Sequence, residues 1–127
     1  MFDNCYKLTS FDGHIPNIET AKSMFSRSGL TEWSTDMTRL VDGESMFYHC
    51  DKLTSFDANL GSLSRGYCMF ADCSELTYFN SYLGSLGNAA QMFSNCKLNT
   101  DSGLGACPIP LAMLLTDSVL SLQLENI

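Results

Sequence analysis

Residues 46–60 read MFYHCDKLTSFDANL, and residues 69–83 read MFADCSELTYFNSYL. The two runs start 23 residues apart, and the Met-Phe pair that opens each recurs at 1–2, 24–25, 46–47, 69–70 and 92–93, in steps of 23, 22, 23 and 23 residues. A fixed period of this length marks a chain built from stacked supersecondary units, and it outranks any local reading of helix or strand.

Aligned on those pairs, with one residue deleted near Gly29, the apolar residues fall into columns. Leu8, Leu30, Leu53 and Leu76 make the first, and Phe11, Trp33, Phe56 and Phe79 follow three positions later. Next come Ile15, Met37, Leu60 and Leu83, then Ile18, Leu40, Leu63 and Leu86, then the small residues Ala21, Gly43, Gly66 and Ala89. One unit cannot bury its own apolar side, whereas stacked copies lay each column against its neighbours as a shared core. The runs at 8–12, 30–34, 53–57 and 76–80 are rich in Thr and aromatics and read as strands. Strands one repeat apart must pair in parallel, roughly 4.8 Å from each other. The expected fold is a leucine-rich-repeat solenoid of about four and a half units over residues 1–98, starting at Met1, Met24, Met46, Met69 and Met92. A short parallel β-sheet forms one face, with turns or short helical segments on the other. The fifth unit keeps Met92, Phe93, Cys96 and Leu98 but has Asp101 where the aromatic belongs, so the array ends there.

At Phe2, Cys5 and Leu8, at Phe47, Cys50 and Leu53, and at Phe70, Cys73 and Leu76, the chain resembles the BspA-like leucine-rich repeats of bacterial surface proteins. The resemblance covers residues 1 to about 98. The second unit departs from it, with Ser28 in the cysteine column and one residue fewer before Leu30, where the stack is expected to bend or loosen. What the resemblance implies is a right-handed solenoid with an adhesive or protein-binding role at a bacterial or phage surface. No catalytic residues and no cofactor come with it, and a cell-surface or secreted location follows from it alone.

Hydrophobic residues make up 45% of the 127, enough to offset chain entropy and fold. Fourteen acidic against seven basic side chains give a net charge of -7, which disfavours nucleic acid as a partner. No apolar run approaches the ~20 residues that span a bilayer, so membrane insertion is not expected. A protein or glycan partner at a cell surface, met by the outward strand face, is the leading expectation. In a strand the side chains alternate, and three outward columns flank the inward Leu and Phe. These are Ser10, Glu32, Ser55 and Tyr78; Asp12, Ser34, Asp57 and Asn80; and His14, Asp36, Asn59 and Tyr82. They vary between units while the inward columns do not. The candidate ligand-binding residues are accordingly Tyr78 and Tyr82 first, for contact area and a hydroxyl, then Asp12, Asp57, Asn80, Asn59, Asp36, Glu32 and His14. The column Thr9, Thr31, Thr54 and Thr77 reads instead as strand propensity with hydroxyls bonding along the sheet.

Cys5, Cys50, Cys73 and Cys96 share one repeat position, where a small buried hydrophobe serves. Adjacent units bring them close, but a disulfide needs a side-chain geometry that stacking need not supply. Cys68 and Cys107 lie off the column and are the thiols expected to be exposed. His49-Cys50 and Cys68-x-x-x-x-Cys73 match no paired zinc pattern, and His14 and His49 have no adjacent nucleophile or orienting acid in sequence, so both read as solvated. Residues 99–127 depart from the repeat: Gly103, Gly105, Pro108 and Pro110 mark an irregular connection, Leu111, Leu114, Leu115, Val119, Leu122 and Ile127 suit a helix over the last unit, and Leu120, Leu122 and Leu124 suit a strand face at a dimer contact, with a partly disordered tail the third outcome. Homo-oligomers through uncapped ends or this segment are the alternative outcome, a structural spacer or self-assembling part of a fibre.

Overall fold

The computed structural model describes residues 2–98; the tail assignments and Cys107 lie outside them. Three short strands, β1 (Glu32–Trp33), β2 (Ser55–Asp57) and β3 (Tyr78–Asn80), form one parallel sheet in the order β1-β2-β3. Their register is the repeat itself: Trp33 lies beside Phe56 and Phe56 beside Phe79. A second parallel ladder of single bridges runs Thr20, Asp42, Arg65, Asn88. Between the two ladders the chain turns at Leu40 N–H to Met37 C=O (3.1 Å) and at the equivalent bonds from Leu63 to Leu60 and Leu86 to Leu83.

The remaining side is a long turn that donates forward. Phe25, Arg27, Phe47, His49, Phe70 and Asp72 each donate a backbone N–H to a carbonyl of the next rung, at 2.7–2.9 Å. Those N–H groups would otherwise be stranded beside a buried core, so the inter-rung bonds are what make this irregular backbone tolerable there. It also needs left-handed residues: Ser23, Arg27, Ser45, His49, Cys68, Asp72, Gln91 and Asn95 all have φ between 54° and 60°. That conformation costs an L-residue about 1–2 kcal/mol unless a short polar side chain relieves it. Ser45→Gly (φ 54°) is therefore expected to raise stability, by about 0.5–1 kcal/mol after allowing for glycine's extra chain entropy. Urea denaturation checks it; a fall in the midpoint would mean that the Ser45 side chain holds the turn.

Inside, two aromatic files interlock. Phe2, Phe25, Phe47, Phe70 and Phe93 stack with centroids 5.2, 5.8, 5.3 and 5.6 Å apart and planes within 9°. Beside them Phe11 stacks on Trp33 at 5.4 Å and Phe56 on Phe79 at 5.1 Å. Rings of one file meet the other edge to face, as Phe56 meets Phe70 at 4.9 Å and Phe79 meets Phe93 at 4.9 Å. Offset stacking along a file and edge contacts across it are both favoured ring geometries. Buried Leu, Met and Cys columns complete the core, and the turn glycines Gly43 and Gly66 admit Met69 and Met92.

Three sequence expectations change. Residues 8–12 form no strand, and the observed strands are two or three residues long, not five. The first rung has a described neighbour on one side only, and the chain leaves the ladder as soon as the inward aromatic is placed. The far side carries turns, one of the two forms expected there, with no helix among the described residues. The second unit, expected to bend or loosen the stack, does not open the ladder: Ser28 is buried, its hydroxyl lies 3.4 Å from Cys50 Sγ, and the bonds run on through Arg27 N–H to Tyr48 C=O (2.8 Å) and Thr31 N–H to Thr9 C=O (3.3 Å).

Candidate binding surface

Because Phe56 and Phe79 are fully buried, their strand neighbours face out. Glu32, Asp57, Tyr78 and Asn80 are exposed and Ser55 half-buried, a side-by-side array on three strands. Asn80 Nδ2 donates to Asp57 Oδ1 at 3.1 Å, so the adjacent strands β2 and β3 present one joined amide and carboxylate. The threonines support the sheet here: Thr54 and Thr77 hydroxyls donate to the carbonyls of Thr31 (3.0 Å) and Thr54 (3.4 Å).

The candidates separate in space. Asp12 and His14 are exposed but lie on the strandless first rung. Asp36 and Asn59 lie beyond the strands at the following turn, where their Oδ1 atoms accept the N–H of Thr38 (3.1 Å) and Gly61 (2.7 Å). Placing them on the strand face was wrong, since alternation ends with the strand and both side chains serve the turn. Tyr82 also lies past its strand, yet stays next to it. Asp57, Ala58, Asn59, Asn80, Ser81 and Tyr82 line a shallow groove of about 310 Å³. Its floor is firm, for the buried Ser81 hydroxyl accepts Leu60 N–H at 3.1 Å from the rung before.

A second concavity, of about 500 Å³, was not anticipated. It lies on the long-turn side and is lined by His49, Asp51, Asp72, Ser74, Asn95 and Lys97. Asn95 Nδ2 donates to Asp72 Oδ1 at 2.6 Å, and His49 Nδ1 stands 3.9 Å from Asp72 Oδ2. His49 is thus not merely solvated. A signal was present: Asn4, Arg27, His49, Asp72 and Asn95 each sit two residues after the Met-Phe phenylalanine, and Asn, Asp and His are the side chains that best accept left-handed backbone. The most buried carboxylate among the described residues, Asp42 (side chain 8% exposed), is already engaged by Lys22 at 3.7 Å, Arg65 at 3.6 Å and Glu44 N–H at 3.1 Å.

The described cysteines are free thiols. Cys50, Cys73 and Cys96 point inward and donate to the carbonyls of Phe25, Phe47 and Phe70 at 3.0–3.1 Å, the same bond repeated up the stack. Cys68, expected to be exposed, is buried at 9% with its sulfur 3.5 Å from Gln91 Oε1. Burial pushes the Cys73 thiol well above its usual range and Cys96 up to about 12. A thiol raised in the folded state stabilises the fold fully below the ordinary value of 9.0, and that contribution is lost as pH climbs from there to about 12. Iodoacetamide at pH 8 should therefore label half-buried Cys5 and leave Cys73 and Cys96 untouched until urea is added, as peptide mass mapping would show. Fast native labelling of Cys96 would mean that the rung opens.

Comparison with protein-family models, characterised proteins and solved structures gives no match to this chain. The likeness to BspA-like repeats rests on the motif residues alone.

Proposed function

We propose that the chain is a short leucine-rich-repeat solenoid of BspA-like type, and that it acts as a non-enzymatic binding or adhesion module. Its strand side meets a protein or glycan at a cell surface. The observation that carries this reading is the pairing of fully buried Phe56 and Phe79 with the exposed Asp57, Tyr78, Asn80 and Tyr82 around them. A scaffold locked from inside leaves its outer positions free for recognition, and preorganised side chains lose little entropy on binding.

The double variant Tyr78→Ala/Tyr82→Ala tests it on arrays of extracellular-matrix proteins and glycans, with thermal melting to show that the variant folds. Binding should weaken about tenfold or more, as for aromatic anchors at other interfaces. Unchanged binding would move the site off this face. A second reading, a spacer or self-assembling segment of a fibre protein, is favoured by the first rung, where Phe2, Leu8, Phe11, Ile15 and Ile18 are only half-buried against the core. Such a surface invites another rung of like shape. Light scattering that stays monomeric across a concentration series would remove that reading.

A further inference from the structure

We infer that the groove beside Tyr82 is a subsite for a neutral pyranose unit of a glycan, with the Tyr82 ring as its stacking floor; this rests on the strand side being a binding surface. The decisive feature lies beneath the ring. A Cβ on Gly84 would stand 2.6 Å from Tyr82 Cε1 and Oη, and one on Gly61 would stand 3.0 Å from Asn59 Oδ1 and 3.2 Å from Tyr82 Cδ1. The ring therefore lies against the turns of two successive rungs. Neither glycine has left-handed backbone, and the same turn position carries Pro16 and Thr38 in the first two rungs. The turn itself accepts a side chain. At 84 the space a side chain would fill is taken by the Tyr82 ring, and at 61 by Asn59 Oδ1 together with the ring's near edge.

A ring serving only to cover these turns would be a poor arrangement, because alanine at both positions would cover them and cost less chain entropy than glycine. The arrangement gives up that stability for a flat aromatic surface. Its Cδ1, Cε1 and Oη side is held against the two turns, while Tyr82 remains 48% exposed.

The rim completes the site. Asn80 Nδ2 donates to Asp57 Oδ1, which leaves Asp57 Oδ2, Asn80 Oδ1 and the second amide hydrogen without a partner among the described residues. A fixed carboxylate and amide beside a flat ring can bond neighbouring hydroxyls while the ring takes the C–H face of the sugar. Asn59 and Ser81 are occupied by Gly61 N–H and Leu60 N–H, so they shape the groove and leave recognition to Asp57, Asn80 and Tyr82. A peptide anchor would need an apolar pocket to fill, and Ala58 is the one aliphatic side chain on the lining. Asp57 is the charged group of the groove and no cation lines it, which with a net charge of -7 repels sulfated or sialylated sugars.

The test applies the full chain to an array of neutral, sulfated and sialylated oligosaccharides, followed by saturation-transfer NMR on the neutral oligosaccharides retained. Neutral glycans should bind. Tyr82→Ala and Asn80→Ala should each weaken binding about tenfold, and Tyr82→Phe should stay within about threefold of the parent chain. Gly84→Ala is the discriminating variant: it removes no groove side chain but displaces the Tyr82 ring, and should also weaken binding about tenfold, with melting curves showing that it folds. Retention of charged glycans alone, or full binding by Gly84→Ala and Tyr82→Ala, would overturn the subsite. If no glycan binds but a matrix-protein signal is lost in Tyr78→Ala/Tyr82→Ala, the subsite fails and the binding surface stands. If neither array responds to these substitutions, both fail.

Discussion

Phe70→Ala is expected to destabilise the chain by about 3–5 kcal/mol, a large part of the stability of any domain this size. Phe70 is fully buried at the crossing of both aromatic files, stacked on Phe47 at 5.3 Å and Phe93 at 5.6 Å and edge-on to Phe56 and Phe79 at 4.9 and 5.2 Å. Its removal opens a cavity bounded by rings whose backbones are tied rung to rung, so collapse around the gap is restricted. Phe2→Ala is the control: half-buried, Phe2 meets only Phe11 and Phe25 among the rings described, and should cost well under half as much. Urea denaturation followed by tryptophan fluorescence reports both, since Trp33 packs against Phe25 and Phe47. Equal losses at Phe2 and Phe70 would show that the rungs do not share one core.

Gly29→Ala should cost about 2–3 kcal/mol, even though it adds a single methyl group. A Cβ at Gly29 would stand 2.3 Å from the carbonyl oxygen of Tyr6 and 3.2 Å from that of Leu8. Both obstacles are backbone of the preceding rung, so relief means separating the rungs and straining bonds such as Asn4 N–H to Ser26 C=O (2.6 Å). Gly43→Ala gives the contrast. Its Cβ would meet Met69 Sδ at 2.9 Å, the end of a flexible side chain, and Ala21 and Ala89 already occupy the same repeat position. That change should stay within about 1 kcal/mol. A mild effect at Gly29 would mean that the first two rungs are looser than the backbone contacts imply.

These two glycines mark the limit of what could be read from residues in a line. Gly43 sits in an aligned column of small side chains, and its closeness to a neighbour was legible. Gly29 stood out only as the place where one residue is missing, which suggested a loosened joint. In space the shorter unit draws its backbone against Tyr6 and Leu8, and Ser28 takes the cysteine position with a hydroxyl toward Cys50. A deletion in a ladder can tighten it, because the inter-rung hydrogen bonds must still be met.

The candidate surface was legible in part. Alternation located Glu32, Asp57, Tyr78 and Asn80, each of which flanks a buried aromatic. It misplaced Asp36 and Asn59, since alternation says nothing beyond the end of a strand and strand length depends on how long the neighbouring rung stays within bonding distance. It also missed His49, Asp72 and Asn95, which meet because left-handed turn residues of successive rungs align.

By itself the sequence determined the period, the apolar columns and the rung-to-rung correspondence. A 22- or 23-residue spacing of Met-Phe, Leu and aromatic residues allows one common interior, and burial enforces the register. Only the tertiary structure decided where the strands stop, that Gly29 abuts backbone, and that the Tyr82 ring lies against Gly61 and Gly84. Those are contacts between atoms about one repeat apart or set by a side-chain rotamer. No pattern of residue types fixes such distances until the rungs are stacked.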